Sequence, residues 1–314
     1  NAAPDVRIPW VTDYESDILP PTLLDSTLPS NILWCSGWET GDGRQPQFVP
    51  LHGGKMEIIR KVGEEPYLAT EAVKNNASVA LRPGNAKWYI DEFPLLAFRI
   101  RRPNLMPKDG ATIELVLDFE KPNTFTIPLA EPGKKKNKRK LYLSEPIPWR
   151  SNVWHSVMLD LATFLRQNVE TSKLAAILGT NPQGREKDPE KRKKMLPVKE
   201  MSIRMQNARD SGPVHLQSVF IFAPFGSNDT VRLNAFDVSG IAGVTWECEK
   251  MAGTTDISPA NLSLQDHESG WMLLRTRDKA GNLSAPFRFP LFRAGSGVAQ
   301  SNAAPVAAAA EGKN

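Results

Sequence analysis

The sequence predicts an all-β protein: an antiparallel β-sandwich with one short helix, followed by a smaller C-terminal β-sandwich. Three observations lead there. Short runs rich in β-branched and aromatic residues recur between turn residues over almost two hundred positions. A single segment carries helical periodicity. Beyond Phe225 the pattern becomes strand, polar turn, strand, at a shorter repeat.

Taken in order, residues 1–30 are polar and proline-bearing ("ILPPTLLDSTLPS") and suit an extended lead-in strand or linker. Residues 31–224 hold the main sandwich, with runs such as "KMEIIRKV" (55–62), "LLAFRIRR" (95–102), "TIELVLDF" (112–119) and "VHLQSVFIFA" (214–223). In "AFRIR", Phe98 and Ile100 interleave with Arg99 and Arg101, the pattern of a strand with one buried and one wet face. "LATFLRQNVETSKLAAIL" (161–178) is read as one helix, with Leu161, Phe164 and Leu165 at helical spacing. "TVRLNAFDVSGIAGVTWECEK" (230–250) and "GWMLLRTRDKAGNLSAPFRFPLF" (270–292) place a second sandwich over 225–293. The Ala-rich tail, 294–314, cannot build a core alone. The opening "NAAPDV" suggests a mature product or an excised segment.

Charge and cysteine content narrow the function classes. The net charge of +4 conceals two basic runs, "KKKNKRK" (134–140) and "REKDPEKRKK" (185–194), which together carry +9 and leave the rest of the chain at −5. A surface shaped throughout for nucleic acid is therefore not expected, and neither run interleaves aromatics for base stacking. No segment is apolar for the length of a membrane span. Cys35 and Cys248 form no zinc or haem motif. They read as two buried thiols, with a bridge between units as the alternative.

Catalytic material is sparse. Glu39 in "GWETGDG" has Asp42 as its neighbour, but two carboxylates in one turn cannot straddle a substrate. Asp91 and Glu92 in "WYIDEF" could approach Glu39 in space, but no sequence pattern places them there. The histidines His52, His155, His215 and His267 show no metal spacing, and His155 reads as a structural imidazole in a strand. No nucleophile elbow, zinc-protease helix or phosphate loop occurs, so the sequence leans away from an enzyme.

The tryptophans carry more. Indole faces stack on sugar rings while polar neighbours read the hydroxyls. Trp38 in its Gly-rich loop, Trp88 and Tyr89 in "GNAKWYIDEF", and Trp149 with Arg150 in "PIPWR" are the expected exposed ligand-binding residues. Trp34 and Trp154, set among apolar residues, are expected in the core. Lys134, Lys135, Lys136, Lys193 and Lys194 are candidates for one anion-binding patch, provided that the two basic loops lie at the same end of the sandwich.

Two resemblances follow from these stretches. "LLRTRDKAGNLSAP" (273–286), with Asp278, Ala280, Gly281 and Asn282, resembles the D-x-A-G-N turn of bacterial immunoglobulin-like modules. "AFDVSGIAGVTW" (235–246) is similar to their earlier strand pair. That resemblance implies an extracellular spacer or adhesion domain. "GWETGDG" (37–43) and "GPVHLQSVFIF" (212–222) resemble galactose-binding-like jelly rolls that serve as carbohydrate-binding modules. This implies a jelly-roll sandwich and a structural calcium held by Glu39 or Asp42 together with a closing-strand donor. The donor here is Gln217, whose amide oxygen supplies no charge and weakens the site. The expected protein is a non-catalytic, extracellular or cell-surface segment that binds a polysaccharide or surface glycan, neutral or anionic. A self-assembling surface-layer or appendage subunit, docking on other surface proteins, and an accessory region of a polysaccharide-degrading enzyme are the alternatives.

Overall fold

Alternation of apolar and polar side chains commits more than half of the described residues to strands. The computed structural model describes residues 22–27, 31–35, 47–51, 55–61, 65–70, 77–82, 87–103, 112–119, 123–129, 140–143, 146–147, 150, 152–180, 185–206, 214–226, 230–237, 240–248, 251–255, 260–263, 270–284 and 286–292. The first part of the chain supplies β1 (Thr22–Thr27), β2 (Ile32–Cys35), β3 (Gln47–Pro50), β4 (Met56–Ile59), β5 (Tyr67–Thr70) and β6 (Ala77–Arg82). Next come β7 (Leu95–Arg101), β8 (Thr112–Asp118), β9 (Thr124–Pro128), β10 (His155–Asp160), β11 (Glu200–Gln206) and β12 (Val214–Phe222). Between β10 and β11 lie α1 (Leu161–Asn168), α2 (Thr171–Leu178) and α3 (Pro189–Lys193).

These strands build an antiparallel sandwich of jelly-roll form. One sheet has the order β3-β6-β11-β8-β9. The other runs β10-β7-β12-β5-β4, with β2 pairing the far half of β12. Between them lie Leu68, Leu96, Phe98, Ile100, Leu115, Leu117, Ile203 and Ile221, all nearly or fully inaccessible. The alternation read in "AFRIR" places Phe98 and Ile100 in that core, as expected.

The single expected helix is two. Asp160 caps α1, accepting from the Thr163 backbone N–H at 2.9 Å and its hydroxyl at 2.8 Å. At Val169 the backbone turns extended (φ −126°, ψ 141°), and the Asn168 amide donates to Phe164 O. The reason is phase. At about 100° per residue, Leu165 and Leu174 would point about 180° apart in one continuous helix. The break lets Leu174, Ile177 and Leu178 of α2 reach the same core as Leu161, Phe164 and Leu165.

The second basic run is likewise not the expected loop. Residues Pro189–Lys193 form α3, with Pro at its start and Asp188 accepting from Glu190 N and Lys191 N. Arg192 pairs with Asp91 at 3.0 Å and with Glu92, and Arg185 reaches Glu92 at 3.0 Å. Local sequence offered a solvated charge run; the Asp91–Glu92 turn docks it through Arg185, Arg192 and the Glu186 backbone N–H.

The C-terminal part holds β13 (Thr230–Phe236), β14 (Ile241–Cys248), β15 (Met251–Thr255), β16 (Ala260–Ser263), β17 (Gly270–Asp278) and β18 (Phe287–Leu291). They form two antiparallel sheets, β15-β14-β17-β18 and β1-β13-β16. The segment read as a lead-in therefore has a partner about two hundred residues away: Thr22 pairs with Phe236 and Thr27 with Arg232. In the Asp278–Asn282 turn, Asp278 accepts from the Asn282 backbone at 2.7 Å and its side-chain amide at 2.8 Å. Gly281 alone takes the positive φ (94°); Asn282 serves by hydrogen bonding instead.

The two parts share a second apolar cluster. Leu95, Ala97, Met158, Phe220 and Phe222 on the outer face of the β7–β12 sheet meet Val244, Met272, Leu274, Phe287 and Phe289. Phe220 lies edge-on to Phe287 and Phe289, with centroids 6.3 and 6.1 Å away. Phe289→Ala should therefore cost about 3–5 kcal/mol, the usual penalty for emptying a buried ring site. Urea unfolding should show this as a lower midpoint, and limited proteolysis should release the C-terminal part sooner.

Candidate functional site

The outer face of the β10-β7-β12-β5 sheet is divided by strand parity. On β7, Leu95 and Ala97 point into the interface cluster, and Arg99 and Arg101 follow on the same face beyond it. On β12, Phe220 and Phe222 belong to the interface, whereas His215 and Gln217 lie opposite Arg101 and Arg99. A bulge at Ser218 (φ 50°) separates the halves and shifts the register between Gln217 and Phe220. Without that extra residue, Gln217 and Phe220 could not both face outward.

The polar half is an arginine–aromatic platform. The Arg101 guanidinium sits 4.6 Å from the Trp154 ring centroid and 5.1 Å from that of Tyr67. Arg99 lies 5.3 Å from the Trp154 ring, so the half-buried indole spans both cations. Tyr67 packs on His215 with centroids 4.6 Å apart and meets Trp154 edge-on at 5.8 Å. Arg101 Nε and Nη2 lie 3.2 and 2.9 Å from His215 Nδ1. A guanidinium only donates, so Nδ1 accepts and the imidazole proton resides on Nε2. Burial, with Arg101 and Lys61 nearby, lowers the His215 pKa to about 4. The imidazole is neutral at neutral pH.

Beside the platform sits a buried carboxylate, Glu65. Its Oε2 accepts from Arg99 Nη1 at 3.3 Å and from Arg288 Nε of β18 at 2.6 Å. Its Oε1 accepts from the Ser218 hydroxyl at 3.1 Å. Burial pushes the Glu65 carboxyl up, and the two guanidinium groups pull against it. Gln217 Nε2 donates to Glu65 O at 3.1 Å, and Gln217 Oε1 accepts from Arg99 at 2.6 Å. Gln217, expected as the closing-strand calcium donor, has its amide oxygen bonded to Arg99 here. Glu39 and Asp42, the other two members of that set, lie outside the described residues.

The tryptophan assignments invert. Trp88, expected at the surface, is fully buried and donates its indole N–H to Phe93 O at 2.9 Å. Trp154, expected in the core, is the exposed-side ring of the platform. A strand places alternate residues on opposite faces, and Trp154 shares the outward parity of Ser156 and Met158. Tyr89 stands apart from the platform, with Arg192 5.5 Å from its ring. Arg150 is exposed, and its backbone N–H donates to His155 Nε2 at 3.2 Å, close in sequence to Trp154. His155 is buried, as its place in a strand predicts. Trp38, Trp149, Lys134, Lys135 and Lys136 lie outside the described residues. Lys193 is paired with Glu190 at 2.7 Å, and Lys194 ends α3. Asp91 and Glu92 are held in the α3 strap by Arg192. Among the described residues no cluster of three His, Cys, Asp or Glu could hold a metal, and no helix is long and apolar enough to cross a membrane.

No family model matches this sequence, and no curated protein matches it. Among solved structures the chain is similar to an exo-beta-agarase, at 16% identity over 63% of this chain and 26% of that one, TM-score 0.36. It is also similar to the glycoside hydrolase domain of Endo-D from Streptococcus pneumoniae R6, at 9% identity over 79% of this chain and 37% of that one, TM-score 0.30. A third is a family 11 carbohydrate-binding module from Clostridium thermocellum in complex with a β-1,3-1,4-mixed-linked tetrasaccharide. It has 9% identity over 66% of this chain and 98% of that module, TM-score 0.27. The chain thus spans about a quarter to two fifths of the length of the first two.

Two predictions follow from this geometry. Removing the Glu65 carboxylate (Glu65→Ala) leaves Arg99 and Arg288 without their shared counter-charge. The expected loss is about 3–5 kcal/mol by equilibrium urea unfolding, of the size seen when one partner of a buried ion pair is deleted. His215 binds a proton less readily folded than unfolded, so between the ordinary value of 6.5 and about 4 the unfolded state holds more protons. Stability should be full above that window and fall as pH drops through it. The slope should flatten in His215→Gln and persist in part, because burial lowers the His155 pKa in the same direction.

Proposed function

We propose that the chain is a non-catalytic glycan-binding region, with the Trp154–Tyr67–Arg101 platform as the surface that meets sugar. The observation that carries this is Trp154. The indole lies across two guanidinium groups and keeps part of its surface open. A sugar ring can stack on such a surface, while Ser156 and Arg101 offer the polar edges that read hydroxyls. The β-sandwich supplies the rigidity: β5 and the entry to β10 fix the rings, and β7 the arginines, before any ligand arrives, which lowers the ordering cost of binding.

In this reading the C-terminal part is an immunoglobulin-like spacer. The arrangement of β1-β13-β16 against β15-β14-β17-β18 and the Asp278–Asn282 turn support it. Its shared apolar cluster with the sandwich would hold the platform at a set orientation to whatever the spacer carries. An accessory role beside a polysaccharide-degrading activity, outside the cell, fits a surface built of cations and aromatic rings.

Affinity electrophoresis through gels cast with individual plant, algal and bacterial polysaccharides tests the proposal. At least one polysaccharide should retard the protein, and Trp154→Ala should weaken that binding about tenfold, the scale of one aromatic contact. No retardation in any gel, or equal retardation of Trp154→Ala, would overturn it.

A further inference from the structure

We propose that the platform selects an acidic saccharide, with a carboxylate or sulfate ester held by Arg101 while a sugar ring lies on Trp154. The inference rests on the glycan-binding reading and specifies the ligand's charge. Its basis is where each cation's counter-charge goes. Glu65, the carboxylate bonded here, is shared by Arg99 and Arg288. Arg101 has no carboxylate partner among the described residues: its hydrogen bonds go to His215 Nδ1, and its flat faces go to Trp154 and Tyr67. Lys61 adds a positive field from the neighbouring loop, and exposed Arg150 precedes Trp154. Glu57 stands opposite Ala69, and Ala69 in turn opposite His215, so this exposed carboxylate is two strands from the imidazole and three from Arg101.

The choice of imidazole matters. A carboxylate at position 215 would quench Arg101. A neutral acceptor instead orients the guanidinium plane and leaves its charge intact. The planar fork then presents paired N–H donors, a geometry that matches two oxygens of a carboxylate or sulfate. Stacking between rings also removes water from the faces of the cation, which strengthens an edge-on anion contact. A neutral hydroxyl-rich ligand would use the same aromatic surface but leave this charge unanswered.

Isothermal titration calorimetry on the full chain tests the inference with matched probes: an oligogalacturonate, a sulfated galactan oligosaccharide, and neutral oligomers of the same backbones. At least one acidic probe should bind more tightly than its neutral counterpart, and rising salt should weaken it. The uronate and sulfate arms then tell the two anions apart. Arg101→Gln should reduce the acidic-to-neutral affinity ratio about tenfold or more, the loss expected for a hydrogen bond to a charged group. Arg101→Lys, which keeps the charge but not the fork, should fall between. Thermal melts establish that each variant is folded. If Arg101→Gln does not fold, the salt dependence of the unaltered protein and the Arg101→Lys ratio decide. Neutral probes binding as well as acidic ones would overturn the inference and leave glycan binding standing, as would an acidic preference unmoved by both Arg101 variants. Failure of every probe, acidic and neutral, would count against both.

Discussion

The carboxylate of Glu65 is the point on which the two halves of the molecule and the platform all depend. It takes hydrogen bonds from β7 through Arg99, from the β12 bulge through Ser218, and from β18 through Arg288. Desolvating a carboxylate is costly, and the cost is met only when every lone pair has a well-placed partner. The geometry of three strands is therefore coupled. Moving β18 would strip Glu65 of Arg288, and straightening the bulge would strip it of Ser218. Apolar contact between Phe220, Phe287 and Phe289 supplies adhesion between the sheets, but apolar surfaces slide. The ion cluster fixes where they stop.

The bulge at Ser218 also explains how one sheet face serves two purposes. Up to Gln217 the outward positions of β12 are polar; after it they are Phe220 and Phe222. The extra residue resets parity so that both sets face outward. One half of the face can then be sealed against the C-terminal sheet while the other keeps Arg101 and Trp154 half-exposed above buried Tyr67 and His215. Arg99 sits at the seam. It is bonded to Glu65 on the sealed side and lies under Trp154 on the open side.

Period-two patterning made much of this legible. The strands "LLAFRIRR" and "VHLQSVFIFA" lie where their alternation put them, and the Asp278–Asn282 turn closes as its residues require. What failed was whatever local sequence does not encode. Trp88 and Trp154 have similarly mixed neighbours, and only strand parity and the bridge between Trp88 and Val198 separate them. Parity relative to Val157 and Leu159, both buried, would have turned Trp154 outward. The helix break could have been found from phase, since Leu165 and Leu174 cannot share one face. No local signal pairs Asp91 and Glu92 with Arg192, a hundred residues on, and none pairs Thr22 with Phe236.

That last pairing has a bearing on how the chain can fold during synthesis. β1 leaves the ribosome before the sandwich does, and its partner β13 follows only after the whole sandwich has emerged. Throughout that interval the backbone groups of β1 have water in place of a strand, and the three-stranded sheet cannot be completed. Closing it is a contact of very long sequence separation, the kind that forms late because so much chain must be ordered first. The sandwich lies between the paired segments in sequence, so its folding shortens the effective loop and brings the ends within reach. Deletion of β1 would consequently be felt about two hundred residues away, as an uncovered edge on β13.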